Sequence, residues 1–364
     1  MLTFIALVGC AEDQQPSAAP LPDIAAKPRP SVALRVLVVN EPELAEAIER
    51  LRSEWAERFG GSLAAVSKPW PELAAAASLD ADVILFPSRY LGELGTRQWI
   101  RPVRSNVLDD PSFNTDDVFP LVHRRLITWG GQVMALPLGV DPGTVTESLD
   151  RRLAVDWLLT VAPVVVSVDR AGVLFDPQTM EPRITEPPFV AALERLRDAQ
   201  ADNNSAAAST VGRVPVLGVD DRLAAVTTSS RNAATAFKLL GWLAGPEISL
   251  QLARSGRRTL PVRRSLATSP AWYDASVSAS ARHDLGTALA QSLGGDRCLV
   301  VPRIPGLDEY LAAIDRAIEN AVNRTTEPQA ALEEAAAEWE RITTAHGREA
   351  QREAYRKHLG IDKP

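Results

Sequence analysis

Cysteine is nearly missing from this chain: its 364 residues include two, Cys10 and Cys298. A disulfide-stapled scaffold is thereby excluded, and Cys298, beside Leu299-Val300-Val301, reads as a small buried apolar residue. Histidine is also scarce. His123, His283, His346 and His358 lie scattered at none of the spacings that metal ligands adopt. The chain has no Gly-x-Ser-x-Gly elbow, P-loop or dinucleotide fingerprint, and its carboxylates sit largely at helical surface spacing. A non-enzyme without cofactor or metal is therefore expected. Net charge is −7 without a basic cluster, which argues against a nucleic-acid partner. Aromatics make up only 5% of the residues, although eight of them are Trp. No segment reaches the length needed to span a bilayer.

What is present is ample apolar material, 46% of the chain, in a length that exceeds the usual single core and predicts two lobes. Met1 to Gly9 is almost entirely apolar, and Leu7-Val8-Gly9-Cys10 resembles the bacterial lipobox, in which the segment before Cys is removed and the Cys is lipidated. The run is short for a signal peptide and has no basic residue ahead of it. Either translation starts upstream or the match is accidental; lipidation at Cys10 is the expectation. Residues 10–31, rich in Pro, Ala and charge, read as a disordered tether.

From Ala33 the pattern is α/β. Ala33 to Val39 suits a buried parallel strand. Asn40 reads as an N-cap with Glu43 as its capping-box partner, and Leu44, Ile48, Leu51, Trp55 and Phe59 recur at helical spacing up to Gly60-Gly61. Ser62 to Ser67 and Ala81 to Phe86 are two further strands, so a β-α-β-α-β order predicts a parallel sheet flanked by helices. Ligands bind such sheets outside the carboxyl ends of the strands. Glu41 and the group Ser88, Arg89 and Tyr90 stand at two such ends, although each could simply serve a helix start.

The chain is organised around Ala135 to Gly143. Gly130-Gly131 offers a two-residue hairpin turn, and the strand after it meets Pro137, which marks an edge or an exit. Gly139 and Pro142-Gly143 keep the backbone irregular, as at a hinge between lobes, with Asp141 at the departure point. Asp141 is equally suited to an Asx turn. Farther on, Trp157 to Val168 reads as a buried strand or strand pair, and Val214 to Val219 with Leu223 to Thr227 as a strand pair turning at Asp220-Asp221. Thr227 to Asn232, including Ser229 and Arg231, forms a polar surface before a helix capped by Ser230 or Asn232. Helices are expected at Phe189 to Ala199, Ala233 to Leu243, Trp272 to His283, Leu285 to Leu293, Asp308 to Val322 and Pro328 to Thr343. Residues 345–364 read as a charged tail, a fraying helix.

Several separated stretches resemble one family, the extracellular solute-binding proteins of ABC importers, in the sugar-binding class related to maltose-binding protein. Asp82-Val83-Ile84-Leu85-Phe86 with Trp99-Ile100-Arg101-Pro102-Val103 resembles its first-lobe segment, and Ala135 to Asp141 its first hinge crossing. Ala234 to Leu243, Gly245-Pro246-Glu247 and Leu260-Pro261-Val262 are similar to its helix–helix–Pro-Val segment, and Tyr310 to Ile342 to its C-terminal helical pair. Between Asp141 and Asp220 the chain lacks that family's aromatic-rich cleft wall, so the second lobe is reduced. The resemblance implies a two-lobe type II periplasmic-binding-protein-like fold. Lobe 1 would comprise 32–138 plus 222–297 and lobe 2 would comprise 139–221 plus 298–344. It further implies an extracytoplasmic, lipid-anchored monomer that captures a small polar solute, a sugar above all, and hands it to ABC permease membrane subunits. Ser88, Arg89, Tyr90, Asp141 and Tyr310 would then contact solute. Glu41, Ser229 and Arg231 join them on strand-end geometry. The alternative is a scaffold or sensor lipoprotein that has kept the fold.

Overall fold

The computed structural model describes residues 32–361, apart from 112, 144–151, 167–171, 202–213, 258 and 274. Cys10 and its tether lie outside the described residues.

Strand β1 (Val32–Val39) begins with alternating exposure and ends in four buried residues. It lies between β2 (Gly61–Lys68) and β3 (Val83–Pro87), parallel to both. β2 alternates buried and exposed positions throughout, as suits a sheet edge with one wet face, whereas Val83 to Pro87 is buried at every position. The helices Pro42–Arg50 and Arg52–Phe59 cross from β1 to β2, burying Leu44, Ile48 and Trp55. Asn40 does not cap the first of them. Its φ of 59° turns the chain in the left-handed region, and its Oδ1 accepts from the Trp70 backbone N–H at 2.9 Å. The N-cap is Glu41, whose side chain makes no capping bond.

Gly130 and Gly131, with φ of 56° and 77°, close the predicted hairpin between β4 (Thr128–Trp129) and β5 (Gln132–Val133). β6 (Leu136–Gly139) then forms the far edge of the main sheet, where Pro137 is tolerated, with a register shift between Pro137 and Gly139. The sheet order is β2-β1-β3-β8-β6, and β8 (Arg222–Val226) runs antiparallel to both neighbours. The expected hairpin at Asp220-Asp221 is therefore corrected. β7 (Val216–Leu217) pairs in parallel with β9 (Leu299–Val300) in a separate small sheet. Asp220-Asp221 links the two sheets.

The described part of the run Trp157 to Val168 is not a strand, and its last two residues lie outside the described ones. Leu153–Val165 is a helix that buries Ala154, Val155, Trp157, Leu158, Leu159, Val161, Ala162 and Val165. A segment apolar on all sides gives no periodicity by which to separate helix from strand. The helix Pro187–Ala201 is as expected, with Leu193 fully buried. One helix, Ala279–Gly294, replaces the two expected from Trp272 to Leu293. The helix expected in the charged tail is present, but it is packed rather than fraying. After Leu307–Val322 and Pro328–Ala345 comes a third helix, Arg348–Leu359, anchored by Tyr355 at 1% exposure. Tyr355 joins Phe175, Tyr310 and Trp339 in an aromatic cluster with centroids 4.7–5.7 Å apart. Gly92 marks another close approach. A Cβ there would overlap the Arg303 carbonyl oxygen and press on Trp129.

Candidate functional site

Because β1 and β3 are parallel and β8 opposes them, Val39, Pro87 and Arg222 reach the same rim of the sheet. There the backbone breaks into turns that present charged side chains. Glu41, 6% exposed, pairs with Arg222 at 2.6 Å and with Arg257 at 3.6 Å, and accepts the Arg257 backbone N–H at 3.1 Å. The Arg222 Nη2 also donates to the carbonyls of Ser255 and Arg257, at 2.9 and 2.8 Å. Burial pulls the Arg222 guanidinium below its ordinary range, and Glu41 opposes that pull.

Ser88, Arg89 and Tyr90 form one 3₁₀ turn directly after β3. Arg89 pairs with Asp220, which also pairs with Arg257 at 3.0 Å. Burial works against the charges of both Arg89 and Asp220. Their mutual attraction overcomes it, raising Arg89 and, with help from Arg257, lowering Asp220. Arg89 Nε lies 3.1 Å from Asp308 without hydrogen-bond alignment. Asp308 also accepts from the Tyr90 hydroxyl at 2.7 Å and from Arg152 at 3.1 Å. Burial drives the Tyr90 phenol up to about 12.

Beneath this layer sits Asp221, with no exposed surface. It accepts from the Ser88 hydroxyl at 2.8 Å and from the backbone N–H groups of Gly218 and Asp141 at 2.7 and 3.0 Å. Burial nevertheless pushes its carboxyl up to about 6. Asp141 accepts the Gly143 N–H at 3.2 Å through Oδ1, closing the Asx turn its setting allowed.

Five of the expected residues, Glu41, Ser88, Arg89, Tyr90 and Asp141, therefore converge on one network. Three do not. Ser229 and Arg231 follow the far end of β8, where Val226 pairs with Val83, so they lie at the opposite rim. Ser229 donates to the Leu79 carbonyl at 2.6 Å, and the polar run around it ties that rim together: Ser230 donates to Asp82 at 2.6 Å, and Arg101 reaches the Thr227 carbonyl at 3.0 Å. Arg231 is exposed there. The Ser230 hydroxyl accepts from the Asn232 N–H, and neither side chain caps the helix. Tyr310, 1% exposed, points into the aromatic cluster and bonds to Thr343 at 2.9 Å.

The residues that complete the network, Asp220, Asp221, Arg222, Arg257, Asp308 and Arg152, are not singled out by the sequence. The unbroken charge triplet Asp220-Asp221-Arg222 ahead of an apolar strand was the available signal. Neither tyrosine offers an open ring face. Tyr90 stacks on Trp70 with centroids 4.0 Å apart and has the Arg89 guanidinium 4.8 Å from its ring centre. The groups left partly open to solvent are charged: Asp220 and Arg257 at 24% and 28%, Arg152 and Asp308 at 29% and 37%.

Solved structures align along most of this chain. The maltose-bound MalE3 of T. maritima matches at a TM-score of 0.59 and 15% identity, covering 86% of this chain and 100% of its own. The sugar-binding protein MalE from the phytopathogen Xanthomonas citri matches at 0.63 and 14%, covering 86% and 98%. The fold is that of the type II periplasmic solute-binding proteins. An ABC transporter solute-binding protein from Agrobacterium radiobacter in complex with ribitol shares this solute-binding fold at a TM-score of 0.58 and 16% identity, covering 85% and 98%. No protein-family model matches the chain, and no curated protein sequence does either. Among the described residues, the solute-binding fold is carried without any helix long and apolar enough to cross a membrane.

Proposed function

We propose that the chain is the solute-binding component of an ABC importer, taking up a small polar solute between lobe 1 (32–138 plus 222–297) and lobe 2 (139–221 plus 298–344). One observation carries this reading. Charged side chains from five separate segments, Glu41, Arg89, Asp220, Arg257 and Asp308, converge at the carboxyl ends of β1 and β3, the rim where open α/β sheets bind ligands. Guanidinium and carboxylate groups suit hydroxyl recognition. With both tyrosine rings engaged, the solute is one held by its hydroxyls, such as a polyol or a small sugar, in keeping with the ribitol and maltose named for similar structures. Asp308, joined to Arg89, Tyr90 and Arg152, sits where closure of one lobe on the other would be felt.

A thermal-shift screen over sugars and polyols tests the proposal, since a ligand at a hundred times its dissociation constant adds about 2.7 kcal/mol. A hit should also shrink the radius of gyration in small-angle scattering. Failure of every polyol and sugar to stabilise the protein would favour a scaffold or sensor. That second reading has its own support, because Arg222 is paired with Glu41 and Arg89 with Asp220 without any solute. Anchoring through a lipidated Cys10, in the extracytoplasmic space, belongs to the same proposal. Labelled fatty acid should enter the wild type and not Cys10→Ser, and equal labelling would rule lipidation out.

A further inference from the structure

Between residues 122–126, strand β9 and the helix Arg348–Leu359 lies a cavity of about 400 Å³, within the range of small-molecule sites. Its described lining includes Arg124, Arg125, Arg303, Lys357 and His358, and no Asp or Glu. This is unusual ground in a chain of net charge −7. Lys357 pairs with Glu353 at 2.6 Å. Arg124, Arg125 and Arg303 make no ion pair among the described residues. Arg124 directs its donors to the carbonyls of Pro120 and Gly295, both at 3.3 Å, and Arg125 lies against the Cys298 thiol.

Arg303 is the centre of the site. It is 1% exposed and donates to the carbonyls of Leu126 and Thr128 and, at 3.4 Å, to Nδ1 of His358. The same Nδ1 accepts the Arg303 backbone N–H, also at 3.4 Å, so the ring fixes both the chain and the guanidinium. A buried guanidinium hydrogen-bonded to neutral acceptors alone keeps a charge that, among the described residues, nothing in contact balances. Burial pulls Arg303 down to about 10, with Asp221 acting on it only from beyond ion-pair contact. His358 is held well below its ordinary range by burial and then by Arg303, which fits its acceptor role.

We propose that this cavity binds a small oxyanion, the phosphate or carboxylate group of a small molecule, at a site separate from the Glu41–Asp308 network. The oxyanion supplies the counter-charge that Arg303 lacks. Arg125, exposed at the cavity wall, meets it with a planar fork matched to either group.

The test is calorimetric titration of the whole protein with inorganic phosphate and, separately, with succinate, at constant ionic strength. Binding in either arm supports the proposal and tells which group is taken. Arg125→Gln should weaken binding roughly tenfold to a hundredfold, the loss of one charge-assisted contact. Arg264→Gln, which removes one exposed charge outside the cavity lining, should leave it unchanged. No binding in either arm up to ~10 mM, an affinity well below that of built sites, overturns the proposal. So does binding that survives Arg124→Gln/Arg125→Gln in a variant with an unaltered melting temperature.

Discussion

Replacing Glu41 by Gln removes one charge from the best-buried ion pair at the sheet rim and changes the side-chain volume little. The Glu41 and Arg222 side chains are 7% and 2% exposed, so solvent screens their contact weakly. After the change the Arg222 Nη2 keeps the Ser255 and Arg257 carbonyls, while its Nε has no partner to begin with. A buried guanidinium then stands without a carboxylate, and Arg257 loses its second anchor. Breaking a buried pair in this way costs about 3–5 kcal/mol. With a urea m-value of ~3 kcal/mol/M, the midpoint should fall by about 1–1.7 M. Removing both charges tests the reasoning further. In Glu41→Gln/Arg222→Met a flexible apolar chain fills the guanidinium's space, and most of the lost stability should return. Circular dichroism in a urea series on the four proteins of this cycle gives the coupling directly. A loss below about 1 kcal/mol for Glu41→Gln, or a double variant no better than the single one, would refute the view that this pair is dry and mutually dependent.

Asp221 predicts a pH effect. Its folded carboxyl titrates near about 6, against ~3.9 for an unfolded Asp. The folded state thus holds the extra proton between these values. The stability it contributes is complete below ~pH 4, is lost as pH rises through ~6, and amounts to about 3 kcal/mol. Asp221→Asn should flatten melting temperature across that window, and an unchanged slope would contradict the assignment. Gly92→Ala should destabilise by about 1–3 kcal/mol or more, because its methyl group would overlap the Arg303 carbonyl oxygen; an unaltered melting curve would mean that the approach is looser. Tyr355→Ala should cost about 3–5 kcal/mol in denaturant, whereas a fraying tail would lose less than ~0.5. Asp141→Asn keeps an acceptor for the Gly143 N–H, so its unfolding free energy should hold within ~0.5 kcal/mol. Under the importer reading, calorimetry with a solute found in the screen should show affinity falling by about 1–2 kcal/mol, and an unaltered affinity would remove Asp141 from the binding surface.

The parallel half of the sheet was legible because each of its elements carries its own local signal. β1 ends in a continuous apolar run, β3 is uniformly apolar, and the Gly130-Gly131 turn demands positive φ. What failed were assignments that depend on distant partners. Leu153–Val165 is apolar all round, so its helical state is decided by what packs on it. Arg348–Leu359 looks solvated in sequence, and its burial rests on three residues, Gln351, Ala354 and Tyr355. The candidate site divides along the same line. Glu41 and Ser88 to Tyr90 follow directly from parallel strand ends. Ser229 and Arg231 rest on strand-end geometry alone, and the antiparallel course of β8 carries them to the other rim. The counter-charges of Glu41 and Arg89, on Arg257, Asp220 and Asp308, come from three remote segments that no local pattern marks.

The antiparallel β8 also sets a clock on how this chain can be made. Val83 pairs with Val226, a partner roughly 140 residues later, and contacts of such separation are the slow ones in folding. During synthesis at ~5–20 residues per second, the Val83–Pro87 edge waits about 7–30 s with its hydrogen-bonding groups unpaired. All five positions of that strand are buried in the finished sheet, and for that time its β8-facing edge has no neighbour. A chain cut before Arg222 should therefore not yield a small folded N-terminal domain but an aggregation-prone species, and during that interval the nascent protein depends on something else to shield its third strand.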